Sequence, residues 1–141
     1  MKKYRILIIC FAVGLALILS ACTNGKMMDY YMDRENYICA SGTVSHISYS
    51  DDGSEVYIGF EDLSFAFDDT CFKIVGDNFL KVKEQGIESV LKPGVTANFV
   101  TAPKYFGDGY VMPIVAITIE GNIMLEEEDG YANLIKWLQE N

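Results

Sequence analysis

The chain has 141 residues, a length that suits a single domain, and its twenty Asp and Glu residues outnumber eleven Lys and Arg for a formal net charge of −9. Nucleic-acid binding depends on Lys and Arg that neutralise phosphates, so this composition argues against a nucleic-acid partner. An acidic surface favours solubility and, more weakly, basic partners or cations.

The chain begins like a secretory signal peptide. A basic head at Met1–Arg5 is followed by the uncharged apolar stretch Ile6–Leu19 and then by small residues, which is the order of parts in such a signal. The apolar stretch is also shorter than the roughly 20 residues that a transmembrane helix needs. We therefore expect residues 1–21 to be removed on export.

The four residues Leu19-Ser20-Ala21-Cys22 resemble the lipobox of bacterial lipoprotein precursors. The resemblance implies that Cys22 becomes the N-terminus and carries a diacylglyceryl group, so that the protein is lipid-anchored on the extracytoplasmic face of the bacterial cell membrane. Two acyl chains suit stable anchoring, because a single chain gives only marginal membrane binding. The alternative is an ordinary signal peptide cut after Ala21, in which Cys22 has no special role.

Residues 22–36 are predicted as a lipid-anchored tether that precedes a domain at residues 37–141. The tether mixes charges with Met and Tyr and has no hydrophobic alternation, so a linker is the main interpretation, and a short helix or docking on the domain is the alternative. Without the signal, eight basic residues stand against twenty acidic ones, a formal balance of −12.

The first part of the domain is predicted as three strands, at Tyr37–Ser50, Glu55–Phe60 and around Cys71–Val75. The Asp-Gly pair between the first two favours a hairpin turn. Val44 and Ile47 are both core candidates but have opposite parity, which a β-bulge between them would reconcile. Gly42 in the same strand suggests a bulge or a sharp bend.

The second part is predicted to begin with a helix that Asp77 or Asn78 caps and that Gly86 ends, with one more turn over Ile87–Leu91. Three further strands and a final helix follow. The strands are predicted at Val95–Thr101, Tyr110–Ile119 and Ile123–Leu125, and the helix carries one apolar stripe formed by Tyr131, Leu134, Ile135 and Leu138.

Three strands, a helix and two strands is an order similar to that of an OB-fold across Tyr37–Leu125. The resemblance implies a mainly β fold: a five-stranded OB-like barrel with a helix between strands 3 and 4, extended by a C-terminal amphipathic helix. The alternative is a small α+β sandwich with the same strands in another arrangement.

Catalytic motifs are scarce in this sequence. His46 is its only histidine, and neither a G-x-S-x-G elbow nor a phosphate- or dinucleotide-binding glycine motif is present. Paired carboxylates such as Asp68-Asp69 fall at predicted turns, where Asp has a local role. We therefore expect no enzyme, cofactor or metal site. A small envelope hydrolase that uses His46 or an acidic pair is the alternative.

Cys39 and Cys71 are the cysteines of the mature domain. In an extracytoplasmic compartment they either form a disulfide or pack as free thiols, and the sequence leaves both alternatives open.

The strongest binding candidate is the loop between strands 4 and 5, where Tyr105, Phe106 and Tyr110 surround two glycines. In OB-folds this loop is among those that bind oligosaccharides or oligonucleotides. Tyr49 and Tyr57 flank the first hairpin and are expected to share the surface that this loop presents. The alternative is that the loop aromatics close the end of the barrel.

These features predict a lipid-anchored lipoprotein that acts as a non-enzymatic binding module for an envelope protein, peptide or glycan. An inhibitor or immunity-type lipoprotein is a further alternative, because an acidic surface suits a basic target.

Overall fold

The computed structural model describes residues 27–104 and 111–141. The predicted signal peptide, Cys22, and the loop residues Tyr105, Phe106 and Tyr110 lie outside the described residues. The chain divides into two units between Asp33 and Arg34. In the first unit residues 27–32 are helical, and the second unit begins shortly before the predicted domain start at Tyr37.

The second unit is mainly β. After a 3-10 turn at Arg34–Asn36, its elements in chain order are β1 (Ile38–Tyr49), β2 (Glu55–Glu61), β3 (Cys71–Val75), α1 (Gly76–Glu84), α2 (Ile87–Val90), β4 (Thr96–Thr101), β5 (Met112–Ile119), β6 (Asn122–Leu125) and α3 (Glu127–Glu140). Each predicted strand is confirmed, including the short last one, which pairs with β5.

The six strands form one sheet in the order β3-β2-β1-β4-β5-β6. Neighbouring strands in this order are antiparallel. A short parallel contact also joins β3 to β5, through Phe72 with Met112 and Lys73 with Pro113. The pairings therefore link β1, β2, β3, β5 and β4 in a ring in which, among the described residues, only two residue pairs join β3 to β5, and β6 lies beside β5.

The core lies on the inner side of this ring. Alternation along β2 buries Val56, Ile58 and Phe60, each at most 2% exposed, as a period of two requires. The Phe60 ring stacks on Phe99 of β4 with centroids 4.6 Å apart, and Phe72 of β3 meets Phe99 edge-on at 4.9 Å. Three strands distant in the sequence are thereby joined through aromatic contacts.

The predicted bulge in β1 is confirmed. Val44 pairs with Phe60 and His46 pairs with Gly59, so Ser45 is the extra residue. The bulge allows both Val44 and Ile47 to pack on the core. Gly42 lies outside the bulge.

Gly42 instead allows a close approach of two segments. A Cβ at this position would lie 2.9 Å from Leu63 Cδ2 and 3.2 Å from Phe60 Cβ. Any larger residue would force the Leu63 side chain to move and would crowd Phe60.

Helix α1 begins two or three residues earlier than an N-cap at Asp77 or Asn78 predicts, and the predicted N-cap is wrong. Val75 is the N-cap and makes no side-chain capping bond. Both candidate caps bond to α3 instead: Asp77 accepts from Lys136 Nζ at 2.8 Å, and the buried Asn78 amide donates to the Gly130 carbonyl at 2.8 Å. The end of the helix is as predicted, because Gly86 follows it with φ +80°.

Helix α3 packs on the outer side of β5. Leu134 is 1% exposed, and Tyr131, Ile135 and Leu138 of the predicted stripe are half-buried. The closest contact was not predicted: it is made by Gly130, whose missing side chain brings the helix onto the backbone of Val115.

Cys39 and Cys71 are both free thiols. Cys39 lies on β1 opposite Val100 of β4, and Cys71 lies on β3 opposite Gly59 of β2. Because β2 separates β1 from β3, the two strands lie roughly 9–10 Å apart. Gly59 in turn pairs with His46, well along β1 from Cys39, so the two cysteines lie beyond the roughly 7 Å between Cα atoms that a disulfide spans. The structure therefore agrees with the second alternative, in which both cysteines are free thiols.

Candidate functional site

Tyr49 and Tyr57 do not share a surface. Tyr49 pairs with Val56 and its ring lies 6.3 Å from Phe79, and burial together with nearby Glu88 raises the pKa of its hydroxyl. Tyr57 pairs with Ser48 on the opposite face of the sheet.

Tyr57 belongs to a structural cluster. Its hydroxyl donates to Glu55 Oε2 at 2.7 Å, and this bond, with a smaller effect of burial, raises the pKa of Tyr57 to about 12. Lys73 Nζ lies 3.6 Å from Glu55 Oε1, and between the rings of Tyr57 and Trp137, at 5.8 and 5.6 Å from their centroids. Lys73 is only 8% exposed. Lys73, whose charge is paired with that of Glu55, therefore packs between the sheet and α3.

His46 is exposed on β1 beside the bulge. It lines a groove of about 530 Å³ together with Ser45, Tyr49 and Glu88. Within the described residues, no hydrogen bond joins His46 to Ser45 or to Glu88. A general base must come within hydrogen-bond reach of its partners, although such bonds often tighten only when substrate binds. The groove therefore brings Ser45, His46 and Glu88 near one another, but in the described part of the chain hydrogen bonds do not connect them as in a catalytic triad.

The paired carboxylates make local bonds. Asp52 Oδ1 accepts from the hydroxyls of Ser50 and Ser54, at 2.7 and 2.6 Å, and these bonds lower the pKa of its carboxyl. Asp69 Oδ1 accepts from the Thr70 amide at 2.6 Å. In residues 27–104 and 111–141, no group of three or more His, Cys, Asp or Glu residues is arranged to hold a metal ion.

A second groove, of about 360 Å³, crosses the outer face of β1, β4 and β5. Two cross-strand rows form it: Cys39, Val100 and Ala116 in the first, and Ser41, Asn98 and Thr118 in the second. Among residues 27–104 and 111–141, no charged residue lines this groove, and we call it the neutral groove.

One wall of the neutral groove comes from the loop that follows β2. Ser64 Oγ accepts from the Ser41 amide at 2.8 Å, and the Ser64 amide donates to the Ser41 carbonyl at 2.9 Å. These two bonds hold the loop against β1. The position of this wall is therefore fixed by hydrogen bonds to the backbone of Ser41.

Several side chains in the neutral groove are available to a ligand. Those of Ser41, Asn98 and Thr118 make no hydrogen bond to the described part of the chain. Cys39 is exposed as a free thiol at one side. The groove thus combines uncharged donors and acceptors with a floor of small apolar side chains.

The neutral groove was not predicted, although the sequence carries a signal for it. Val95–Thr101 and Val111–Ile119 contain no charged residue in a chain that is otherwise rich in acids. That the outer positions of these strands meet those of β1 depends on the sheet order, which the sequence does not state.

Comparison with known proteins gives no relative for this chain. No family model matches it, and neither the curated proteins nor the solved structures contain a significant match. Among the residues that the structure describes, no helix is both long enough and apolar enough to cross a membrane.

Proposed function

We propose that this protein is a lipid-anchored, non-enzymatic binding module on the extracytoplasmic face of a bacterial cell membrane. Its OB-like domain presents the neutral groove to an envelope protein, peptide or glycan. The observation that carries this proposal is a groove that, in the described part of the chain, is lined by uncharged residues only, on a domain with many acidic residues.

The composition of the groove supports a binding role. The buried centres of protein interfaces are depleted in charged residues, and small-molecule pockets combine a mostly apolar lining with a few convergent polar groups. The neutral groove has both properties: Val100 and Ala116 supply apolar surface, and Ser41, Asn98 and Thr118 supply polar groups.

The strand pairings support an OB-like barrel over the sandwich alternative. The parallel contact between β3 and β5 joins two strands that stand at opposite ends of the order β3-β2-β1-β4-β5, whereas a sandwich would leave two separate sheets. The helices between β3 and β4 stand where an OB-fold has its helix.

The anchor is supported by the lipobox-like sequence that ends at Cys22. A Cys22→Ser variant should lose incorporation of labelled palmitate and should leave the membrane fraction, because it lacks the sulfur that carries the lipid. Cys39→Ser is the matched control and should keep both properties. Palmitate incorporation in Cys22→Ser would contradict the anchor.

The groove is tested by site-specific photocrosslinking in intact cells. A photoreactive residue at Asn98, which is exposed in the groove, should give a defined adduct, whereas one at the exposed Ser48, on the outer face of β1 away from the groove, should not. Equal adducts at both positions, or none at Asn98, would show that the groove is not the binding surface.

A small hydrolase is the second candidate, and the groove that collects Ser45, His46 and Glu88 favours it. Such an enzyme should lose ester hydrolysis both in His46→Ala and in Glu88→Ala. Hydrolysis that survives either change would remove this candidate.

A further inference from the structure

We infer that the neutral groove binds an uncharged, hydroxyl-rich sugar chain. This inference rests on the proposed binding function and narrows its ligand to one chemical class. The groove lies across β1, β4 and β5, so it is distinct from the Tyr57 cluster on β2 and β3.

Charge gives the first argument. A charged ligand group would meet no opposite charge among the described residues of the groove, so it would gain no ion pair in return for the hydration that it gives up on contact. The net charge of −9 also repels anionic ligands. The groove therefore selects against charged glycans and charged peptides.

The arrangement of polar groups gives the second argument. Ser41, Asn98 and Thr118 form one row across three neighbouring strands, at the roughly 4.8 Å spacing of a sheet. Two hydroxyls and an amide each offer donors and acceptors. A ligand that matches this row needs several neutral groups that both donate and accept, as sugar hydroxyls do.

The floor and the strand pairing give the third argument. Val100 and Ala116 leave a shallow apolar floor on which the C–H face of a sugar ring can lie. An extended peptide would instead add to a sheet edge through its backbone, but β4 is paired on both sides, with β1 and β5. At about 360 Å³ the groove is near the small end of ligand pockets and suits a short segment of a chain.

Cys39 provides a reporter inside the groove. The mature protein, purified in detergent, is alkylated with iodoacetamide, and modification of Cys39 and Cys71 is followed separately by peptide mass spectrometry. Cys71 lies on β3 outside the groove and serves as the internal control. The probes are cellotetraose, maltotetraose and chitotetraose, with tetragalacturonate as the anionic counterpart and an uncharged tetrapeptide amide as the peptide counterpart.

At least one neutral oligosaccharide should slow Cys39 alkylation threefold or more without changing Cys71, and tetragalacturonate should have no effect. Protection by none of the three sugars, equal protection of both cysteines, or protection by the peptide or by tetragalacturonate alone would overturn the inference.

Two variants locate the ligand. Ala116→Phe fills the groove and should abolish protection, whereas Ala132→Phe at an exposed position of α3 should keep it. Asn98→Leu should weaken binding about tenfold, and Asn122→Leu is its control on β6. Asn98 is exposed, so this variant tests the site even where Ala116→Phe fails to fold. Protection unchanged in Asn98→Leu would overturn the assignment.

The result also separates this inference from the proposed function. A protein adduct at Asn98 in cells, together with no protection by sugars, would leave the binding module intact and remove the sugar ligand. Protection by sugars in a protein that carries no lipid would support the sugar ligand and contradict the lipid anchor.

Discussion

Replacing Gly130 by alanine should destabilise the domain, although alanine is the better helix former. A Cβ at this position would overlap the carbonyl oxygen of Val115 and come within 2.5 Å of its carbonyl carbon. Val115 is the extra residue of a β-bulge, and its neighbours Ile114 and Ala116 are both paired with β4, which limits how far its backbone can move. Because the overlapping atoms belong to the backbone, no side-chain rotation relieves the overlap. Helix α3 must therefore move away from the sheet.

The size of the effect follows from that movement. The Cβ would lie 1.6 Å from the Val115 carbonyl oxygen, so restoring an ordinary contact of about 3.4 Å requires a shift of about 2 Å, and a gap of even about 1 Å forfeits about half of the dispersion contact across the interface. Overpacking of this kind costs roughly 1–3 kcal/mol. The shift also strains the bond from the buried Asn78 amide to the Gly130 carbonyl, at a further cost of about 1 kcal/mol. The gain in helix propensity, about 1 kcal/mol, offsets the cost of the strained hydrogen bond and leaves a net loss of roughly 1–3 kcal/mol.

Urea denaturation followed by the fluorescence of Trp137, the only tryptophan, measures this loss. Ala132→Gly, at an exposed position of the same helix, is the control and should lose about 1 kcal/mol through propensity alone. A Gly130→Ala protein as stable as the wild type, or more stable, would refute the argument that α3 rests on the backbone of β5.

Two further predictions concern ionisation. Arg34 donates to both carboxylate oxygens of Glu128, at 2.6 and 2.9 Å, and lowers the pKa of Glu128 below the usual 4.5. A folded pKa below the unfolded value stabilises the protein above that value, so Glu128→Gln should lower the urea midpoint at pH 7 by an amount that shrinks as the pH falls below about 4; a deficit independent of pH would contradict this. The Tyr57 pKa is raised from 10.0 to about 12, so its contribution to stability is complete below pH 10 and is lost as the pH rises through 12. The tyrosinate absorbance of the wild type minus that of Tyr57→Phe should rise near pH 12, and a rise near pH 10 would exclude the bond to Glu55.

The strands were predictable because their signals are local. Alternation along β2, the Asp-Gly turn before it and the opposite parity of Val44 and Ile47 all lie within one stretch of about twenty residues, and each corresponds to a feature of the pleated backbone. The end of α1 at Gly86 is local in the same sense, because only the next residues decide whether a left-handed position is needed.

Features that depend on register were harder to predict. Tyr49 and Tyr57 flank one turn, and the sequence suggested a common surface. The turn closes with the Ser50 amide bonded to the Glu55 carbonyl at 3.0 Å, which places Tyr49 opposite Val56 and Tyr57 opposite Ser48. Since successive residues of a strand point to opposite faces, this register separates the two rings.

Features that depend on distant residues were not predictable at all. Asp77 and Asn78 are good N-cap residues by type, yet their partners Lys136 and Gly130 lie on the last helix. By sequence Lys73 is an ordinary surface lysine, and only the tertiary structure brings the Trp137 ring next to its ammonium group. In each case tertiary contacts decide a local feature, because a side chain that finds a partner on α3 is no longer available to its own turn.

The distribution of charge connects the fold to the proposed ligand. Carboxylates occur where they stabilise turns and helix contacts, as Asp52 does in the first hairpin and Asp77 does with Lys136. The outer face of β4 has no such requirement. Asn98 is exposed there, and a charged residue at an exposed strand position usually changes stability by no more than about 0.5 kcal/mol. Stability alone therefore does not explain why this face is free of charge, whereas a neutral ligand that replaces water in the groove does.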